Sequence, residues 1–338
     1  MNFLSFILKK LKIIFMSKNF NPIIVVAGEP KSVFFELFFK TFRKFKNNPI
    51  VLIANKKLLI DHLKLLKIRR PLRILDSLKE IDFKILDNKK INLIDVPFTY
   101  NSFKNIRINN SNRYINKCFD VAIKLLRKNK KLRLINGPII KKDFLGKKYL
   151  GITEFLGSKF NVERNVVMLI YNKNLSVSPL TTHIPLKNVH KFISKKRIIN
   201  HVKIIQSFYK KKFNKNPSFA ITGLNPHCEA SSKLNEENKI IKPAINYLLK
   251  KKFNISGPYP ADTIFLKKNY KKFDVIVGMY HDQVLTPIKT IYEFDAINIT
   301  LGLPIERVSP DHGPNLSMLG KNKSNLTSLI RSIEFLNK

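Results

Sequence analysis

The chain has 338 residues, and 44% of them are hydrophobic, which is enough for a large core in one large domain or two. Its 63 lysine and arginine residues exceed its 23 aspartate and glutamate residues and give a net charge of +40. The basic residues recur along the whole chain between apolar residues, as on the solvated faces of amphipathic helices. A dedicated nucleic-acid-binding protein is therefore disfavoured, whereas attraction of anionic substrates and cofactors is expected.

Residues 1–21 are interpreted as an N-terminal appendage, and residues 1–15 as a start-site artefact, because Met16 begins a second plausible start. The lysines of this segment follow its apolar residues, whereas a signal peptide has the reverse order. No run approaches the roughly 18 apolar residues of a spanning helix. The two cysteines, Cys118 and Cys228, form no CxxC pair, so no disulfide framework is expected and the cytoplasm is the predicted compartment.

Apolar runs rich in β-branched residues alternate with helical patterns along the chain, which predicts an α/β fold. The predicted strands are 22–28, 49–55, 91–97, 131–136, 165–171, 176–183, 218–223, 273–280 and 296–302. The predicted helices are 33–42, 56–67, 111–129 with Ser111 as N-cap, and the long patterns at about 187–212 and 236–252.

Five stretches deliver polar residues directly after a predicted strand, where ligands bind in open α/β sheets. They are TTHIPL (181–186), GLNPHCEA (223–230), GPYPADTIF (257–265), GMYHDQVLTPIKT (278–290) and GLPIERVSPDHGPN (302–315). Three of them carry a histidine, His183, His227 or His281, and imidazole is a common metal ligand. Their wide spacing carries no local zinc signature, so a shared metal site and ordinary hydrogen-bonded loop histidines both stay open. For the stretch at 278–290, a polar loop with Asp282 as helix N-cap is the alternative.

These stretches occur in the same order and at similar spacing in one protein family. Together with GEP (28–30), NGPIIK (136–141) and TEF (153–155), they show that residues 22–335 resemble the 4-hydroxythreonine-4-phosphate dehydrogenases. Those enzymes are NAD-dependent and act in pyridoxal 5′-phosphate (vitamin B6) biosynthesis. The resemblance implies oxidation of 4-phosphohydroxy-L-threonine to 2-amino-3-oxo-4-phosphobutanoate, which decarboxylates to 3-amino-2-oxopropyl phosphate.

The resemblance also implies an α/β fold like that of the isocitrate and isopropylmalate dehydrogenases, with two α/β domains around a cleft and no Rossmann domain. The first domain is expected to comprise residues 22–135 and 305–338, and the second to comprise residues 136–304. A homodimer is expected, with the active site at the subunit interface.

Each expected site residue matches a family motif by position. The implied ligands of a divalent metal (Zn, Mg or Co), one of them from the partner subunit, are His183, His227 and His281. The implied catalytic residues are Asp262, Asp282 and Lys141. Asp262 or Asp282 would orient a metal-bound imidazole, although Asp262 is equally interpreted as a turn residue after Pro260.

The substrate and the cofactor have their own implied residues. Those for the substrate's phosphate and polar groups are Thr153, Lys289, Asn298 and Arg307. Those for NAD or NADP are Leu301, Gly302, Asp311, His312 and Asn315. Arginine offers phosphate a planar fork and lysine a point charge.

Four departures from the family pattern are present. GEPKSVFFE (28–36) stands where the family usually has GEPAGIGPE, and CEASS (228–232) replaces AGEGG. Ile152 stands where the family has a histidine and Ile140 occupies a usually polar position, and these two leave the substrate open. Ile152 cannot hydrogen-bond a substrate. The alternatives are a dehydrogenase for a related phosphorylated four-carbon sugar acid, of the threonate or erythronate 4-phosphate type, and a non-enzymatic basic binding protein.

Overall fold

The structure is a computed structural model that describes residues 22–45, 48–76, 80–140, 149, 151–229 and 235–338. Lys141 and the N-terminal appendage lie outside these residues. The chain divides into two units, Met1–Asp143 with Val308–Lys338, and Phe144–Arg307. Within the described ranges, no helix is both long and apolar enough to cross a membrane.

The strands are short, of four or five residues each. They are β1 (Ile23–Val26), β2 (Ile50–Ala54), β3 (Leu72–Leu75), β4 (Ile91–Asp95), β5 (Arg133–Asn136), β6 (Val167–Tyr171), β7 (Ser176–Pro179), β8 (Phe219–Thr222), β9 (Ile255–Tyr259), β10 (Val275–Gly278), β11 (Ile297–Leu301) and β12 (Arg307–Pro310).

The α-helices range from single turns to a helix of 21 residues. They are α1 (Phe34–Thr41), α2 (Lys56–Leu65), α3 (Ile108–Lys128), α4 (Ile152–Lys159), α5 (Lys195–Phe213), α6 (Lys242–Lys250), α7 (Ala261–Ile264), α8 (Lys267–Tyr270), α9 (His281–Tyr292) and α10 (Thr327–Leu336).

In the first unit the strands follow the order β3-β4-β2-β1-β5-β12, and the pairs from β3 to β5 are parallel. Parallel strands need crossover connections and helical cover, and their residues are then apolar on both faces. Strands β1 and β2 fit this rule, since all of their residues are buried. Helix α1 and the residue that follows it, Phe42, together contribute five buried phenylalanines to this core.

In the second unit the order is β11-β6-β7-β10-β8-β9. Strand β6 is antiparallel to both β11 and β7, while β7, β10, β8 and β9 are parallel to one another. The carboxyl ends of β7, β8, β9, β10 and β11 therefore lie at one edge of the sheet. Four of the five polar stretches singled out in the sequence begin at these strand ends, and the fifth, at 257–265, begins inside β9 and continues past its end.

Three strands were missed in the sequence, and each has a physical reason. Strand β9 contains Gly257 and Pro258, which break strand patterns but are tolerated in a strand at the edge of a sheet. Strand β3 also lies at an edge and is only partly buried, so its sequence lacks a clear apolar run. Strand β12 has only four residues and includes Arg307 and Pro310, so its sequence lacks an apolar run.

The predicted start of the third helix was wrong. Helix α3 begins at Ile108 with Arg107 as N-cap, and Ser111 is buried inside the helix, where its hydroxyl donates to the Arg107 carbonyl at 3.4 Å. A serine can bond back to a carbonyl one turn earlier as well as cap a helix, and the sequence pattern does not separate the two.

A buried histidine on α2 holds the GEP turn of the first unit. His62 is fully buried, its ring stacks on Phe35 with ring centroids 4.2 Å apart, and its Nε2 lies 2.6 Å from the Pro30 carbonyl oxygen. Nε2 therefore carries the proton, while Nδ1 is buried and makes no hydrogen bond. Burial lowers the pKa of His62 to about 4.

This burial predicts a pH-dependent stability. The unfolded chain takes up a proton on His62 near pH 6.5, whereas the folded protein does not until about pH 4. The free energy of unfolding is therefore expected to fall as the pH is lowered from about 6.5 to about 4, by up to about 1.4 kcal/mol per pH unit for this group. Urea unfolding of wild type and His62→Gln at pH 7 and pH 5 checks this. The variant is expected to lose less stability between the two pH values, and an equal loss in both proteins would contradict the assignment.

Candidate active site

Two of the predicted metal ligands meet at the ends of neighbouring parallel strands. Gly278 of β10 pairs with Pro179 of β7, and the pairing continues beyond the strands, since the Thr181 hydroxyl donates to the Met279 carbonyl at 2.7 Å. The rings of His183 and His281 consequently lie with their centroids 5.4 Å apart. Because zinc–imidazole bonds are about 2.0–2.1 Å long, rings at this separation fit a shared metal ion.

His281 is the first residue of α9, and its ring is held by the residue beside it. The N-cap is Tyr280, so the alternative in which Asp282 caps this helix is wrong. Asp282 lies in the first turn, where its Oδ1 is 2.6 Å from Nδ1 of His281. A carboxylate on one ring nitrogen orients an imidazole and leaves the other nitrogen for a ligand.

His227 lies apart from this pair, on the turn that follows β8. Its side chain is exposed, and both His227 and Cys228 have left-handed backbone conformations with φ of 55° and 60°. Such conformations are uncommon outside glycine and cluster at functional sites. Within the described part of this single chain, no group of three His, Cys, Asp or Glu side chains is arranged to hold a metal ion.

The turn that carries His227 is anchored by a buried carboxylate. Glu237 accepts hydrogen bonds from the backbone N–H groups of Leu224 and Asn225, at 2.8 and 2.9 Å, and from the Asn225 side chain at 2.9 Å. Burial raises the pKa of Glu237, but these donors outweigh it, and the net shift is downward. The turn is thus fixed despite its strained backbone.

The second predicted acid, Asp262, lies beside the His227 turn. It is exposed in the first turn of α7, which packs against the turn at Pro226–Cys228. Burial raises the pKa of the Cys228 thiol, and the negative charge of Asp262 adds to that shift. Both cysteines, Cys118 and Cys228, are free thiols.

Gln283, which lies in the polar stretch at 278–290, connects these strand ends. The Gln283 side chain is buried; its Oε1 accepts from the Met279 N–H at 2.7 Å and from the Thr222 hydroxyl at 2.8 Å. Its Nε2 donates to the Gly223 carbonyl at 2.7 Å. One amide therefore joins the end of β10, before His281, to the end of β8, before the His227 turn.

The predicted substrate residues fall into a buried group and an exposed one. Arg307 is fully buried and donates to the Thr300 hydroxyl at 2.9 Å, and Thr300 is hydrogen-bonded to the Thr153 hydroxyl at 3.1 Å. Burial lowers the pKa of Arg307 to about 9, and the charge of Glu154 opposes that shift. Lys289 is exposed in the last turn of α9.

Two further positions bear on the substrate and the departures from the family pattern. Asn298, on β11, is partly buried, and its Oδ1 makes no hydrogen bond. Ile152 is the half-buried first residue of α4, directly before Thr153. Ile140 lies partly buried after β5.

The predicted cofactor residues divide between the two units. Leu301 ends β11, and Gly302 follows it with φ of +83°, where a Cβ would lie 1.9 Å from the Asn165 carbonyl oxygen. Only glycine fits this conformation and this close approach. In the other unit, the Asp311 backbone N–H donates a hydrogen bond to Ser328 Oγ at 2.8 Å. His312 and Asn315 follow it in the same loop, and Asn315 is left-handed with φ of 49°.

A pocket of about 470 Å³ adjoins Thr153 in the second unit. Glu154 and Thr182 line it on one side, and Arg197 and His201 of α5 line it on the other. Burial lowers the pKa of His201 to about 3, and its Nε2 donates to the Ser178 hydroxyl at 2.7 Å. These residues come together only in the folded unit, so no local pattern in the sequence indicates them.

The comparisons with known proteins agree with one another. A sequence model of the family described as "Pyridoxal phosphate biosynthetic protein PdxA" matches residues 46–336. The chain is 34% identical over 316 residues to a 4-hydroxythreonine-4-phosphate dehydrogenase from Sulfurihydrogenibium sp. (strain YO3AOP1), covering 92% of this chain and 95% of that relative. It is 33% identical over 317 residues to a protein of the same name from Wigglesworthia glossinidia brevipalpis, covering 92% and 94%. The crystal structure of the Klebsiella pneumoniae 4-hydroxythreonine-4-phosphate dehydrogenase is similar with a TM-score of 0.76 and 28% identity, over 94% of this chain and 98% of that one.

The α/β fold and these relatives define an oxidoreductase, and the predicted fold class and enzyme class are confirmed. The chain belongs to the pyridoxal phosphate biosynthetic protein PdxA family, which confirms the resemblance stated from the motifs. Membership in this family favours a dehydrogenase over a non-enzymatic basic binding protein.

The role of Gln283 can be tested through stability. Gln283→Leu leaves the buried Met279 N–H and the Gly223 carbonyl without their partner, so the free energy of unfolding is expected to drop by about 2–4 kcal/mol. The matched control is Gln206→Leu, at the other glutamine of the chain, which lies half-buried on α5 and is expected to change stability by less than about 1 kcal/mol. Urea unfolding at pH 7 measures both. Equal effects of the two substitutions would contradict the conclusion that the Gln283 hydrogen bonds stabilise these strand ends.

Proposed function

We propose that the protein catalyses the NAD-dependent and divalent-metal-dependent oxidation of 4-phosphohydroxy-L-threonine in pyridoxal 5′-phosphate biosynthesis. The product, 2-amino-3-oxo-4-phosphobutanoate, then loses CO2 to give 3-amino-2-oxopropyl phosphate. The observation that carries the proposal is the pairing of His183 with His281, 5.4 Å apart at adjacent strand ends, in a chain 34% identical over 316 residues to an enzyme of that name.

We assign His183 and His281 as ligands of one divalent metal ion, Zn, Mg or Co. Such an ion, when bound, lowers the pKa of the substrate's hydroxyl group and stabilises negative charge on that oxygen. Asp282 keeps the His281 ring oriented through its Nδ1. Three protein ligands would leave positions free for substrate oxygens, as in catalytic sites.

The third ligand is assigned to the partner subunit's His227 in a homodimer. Two features support this assignment. In one chain, His227 is exposed on a strained turn, whereas the ring centroids of His183 and His281 lie 5.4 Å apart. The anchoring of the turn by Glu237 fits a side chain that must be presented outward in a fixed geometry.

Arg307, Thr153, Asn298 and Lys289 are assigned to the phosphate and polar groups of the substrate. A desolvated guanidinium binds phosphate more strongly than an exposed one, because the surrounding dielectric constant is low. Since Arg307 is fully covered in this structure, phosphate binding requires neighbouring side chains to open. The Asn298 Oδ1 is a buried acceptor for a donor group on the substrate.

The remaining assignments rest on membership of the family. Lys141 and Asp262 are proposed as catalytic residues. The nicotinamide cofactor, NAD or NADP, takes up the hydride, and its residues are assigned as Leu301, Gly302, Asp311, His312 and Asn315.

One observation favours a second substrate, a phosphorylated four-carbon sugar acid without an amino group. Ile152 occupies the first position of α4, next to Thr153, and presents an apolar side chain where the family pattern has histidine. A missing hydrogen bond to a charged substrate group would cost about 1.5–3 kcal/mol, which corresponds to roughly 10- to 150-fold in kcat/KM.

Coupled assays of NADH formation test the proposed function. The protein is expected to reduce NAD with 4-phosphohydroxy-L-threonine, and a chelator is expected to abolish the reaction until zinc or cobalt is restored. Parallel assays with threonate 4-phosphate and erythronate 4-phosphate identify the preferred substrate. Turnover that resists complete metal removal, or no turnover with any of the three substrates, would contradict the proposal.

The substitution Ile152→His separates the two substrates. If 4-phosphohydroxy-L-threonine is the natural substrate, the new imidazole is expected to raise kcat/KM for it by about tenfold, since it restores one hydrogen bond to a charged group. Lower activity with this substrate, combined with higher wild-type activity on a sugar acid phosphate, would favour the second substrate. Ile140→His serves as a control at the other apolar departure.

A further inference from the structure

Glu154 connects helix α4 to the strand end that carries His183. Its Oε1 accepts a hydrogen bond from the Thr182 hydroxyl at 3.0 Å, and Thr182 directly precedes His183. The negative charge of Glu154 also interacts favourably with Arg197 and with the buried Arg307. The carboxylate therefore has one hydrogen bond, from Thr182, and two favourable charge interactions, with Arg197 and Arg307.

The other oxygen and the imidazole of His183 both lie beside Gly151. Oε2 of Glu154 is buried and makes no hydrogen bond. A Cβ placed on Gly151 would lie 2.8 Å from this Oε2 and 2.8 Å from both Nδ1 and Cε1 of His183. The carboxylate oxygen and the ring edge thus border the same small space, which a glycine at position 151 leaves open.

The chemistry of metal-bound histidine explains such an arrangement. A histidine that binds a metal through one ring nitrogen usually donates its other N–H to a carboxylate or a carbonyl group, which fixes the ring and increases its basicity as a ligand. His281 has this partner in Asp282, at 2.6 Å. A carboxylate oxygen that lacks a donor, next to Nδ1 of His183, supplies the same function for the second ring.

We infer that Glu154 is a positioning residue for metal binding: its Oε2 accepts the Nδ1–H of His183, so that Nε2 of His183 faces the metal ion. The inference deepens the proposed function and rests on its metal site. It also gives Glu154 a role in both halves of the site, since the same carboxylate compensates the charge of Arg307.

Cobalt binding to the full-length protein tests this inference without reference to turnover. Competition with a chelating dye gives the affinity, and the visible absorption of bound Co2+ reports its ligand geometry. Glu154→Ala is expected to weaken cobalt binding about 10- to 100-fold and to change the spectrum. Glu154→Gln keeps the side-chain volume and an oxygen acceptor, so it is expected to recover part of the affinity.

Thr182→Val is the matched control, because it removes the hydrogen bond to Oε1 and leaves Oε2 in place. It is expected to keep the wild-type spectrum and an affinity within about threefold of wild type, since no group on the metal side is changed. An equal loss in Thr182→Val and Glu154→Ala would overturn the inference, because the effect would then come from packing of the strand end. Thermal unfolding of the metal-free variants identifies any variant that does not fold.

Two further outcomes separate this inference from the proposed function. If wild type and Glu154→Ala bind cobalt equally well, the inference fails and the proposed metal site stands. If the wild-type protein binds no cobalt, the proposed metal site and the inference both fail.

Discussion

The parallel pairing of β7, β10 and β8 is the constraint on which the site depends. It places three carboxyl ends at one edge of the sheet, and each end leads into a segment with a histidine. Hydrogen bonds continue past the strands through Thr181 and Met279, and the buried Gln283 amide joins β10 to β8. Because both the oxygen and the nitrogen of that amide are hydrogen-bonded, a shift of either strand end would leave buried polar groups without a hydrogen-bond partner. The histidines therefore follow strand ends that are fixed by hydrogen bonds, and ligands held in this way can meet the precise geometry that a metal ion requires.

Charge compensation links these strand ends to the predicted substrate residues. A guanidinium as completely buried as that of Arg307 is costly unless an opposite charge and hydrogen-bond acceptors lie nearby. Glu154 supplies the charge, and the Thr300 hydroxyl supplies an acceptor. The hydroxyl of Thr153 extends the chain of contacts to helix α4. The same carboxylate borders a space that it shares with His183, so Glu154 adjoins both the predicted substrate residues and a predicted metal ligand.

Local sequence patterns predicted most of the strands that carry the histidines. They predicted little of the set of contacts that connects Glu154, Arg307, Thr300 and Thr153. Strands β8 and β10 are short, mostly apolar runs, and β7 (Ser176–Pro179) is a short buried strand. Polar residues follow all three, so both the strands and the histidines after them were visible in the sequence. Edge strand β9 was not, because Gly257 and Pro258 interrupt it. That set of contacts joins distant positions, such as Thr153 with Thr300, 147 residues apart, and no spacing rule connects them. The resemblance to a family supplied the site residues that matched its motifs, whereas the contacts of Glu154 and Gln283 are visible only in the folded unit.

Anomalous diffraction from crystals of the zinc-loaded protein tests the central claim most directly. We expect one zinc peak per site, with imidazole nitrogens of His183, His281 and the partner subunit's His227 at about 2.0–2.1 Å from the zinc ion. A zinc ion bound elsewhere, or bound at this edge without both His183 and His281, would contradict that claim.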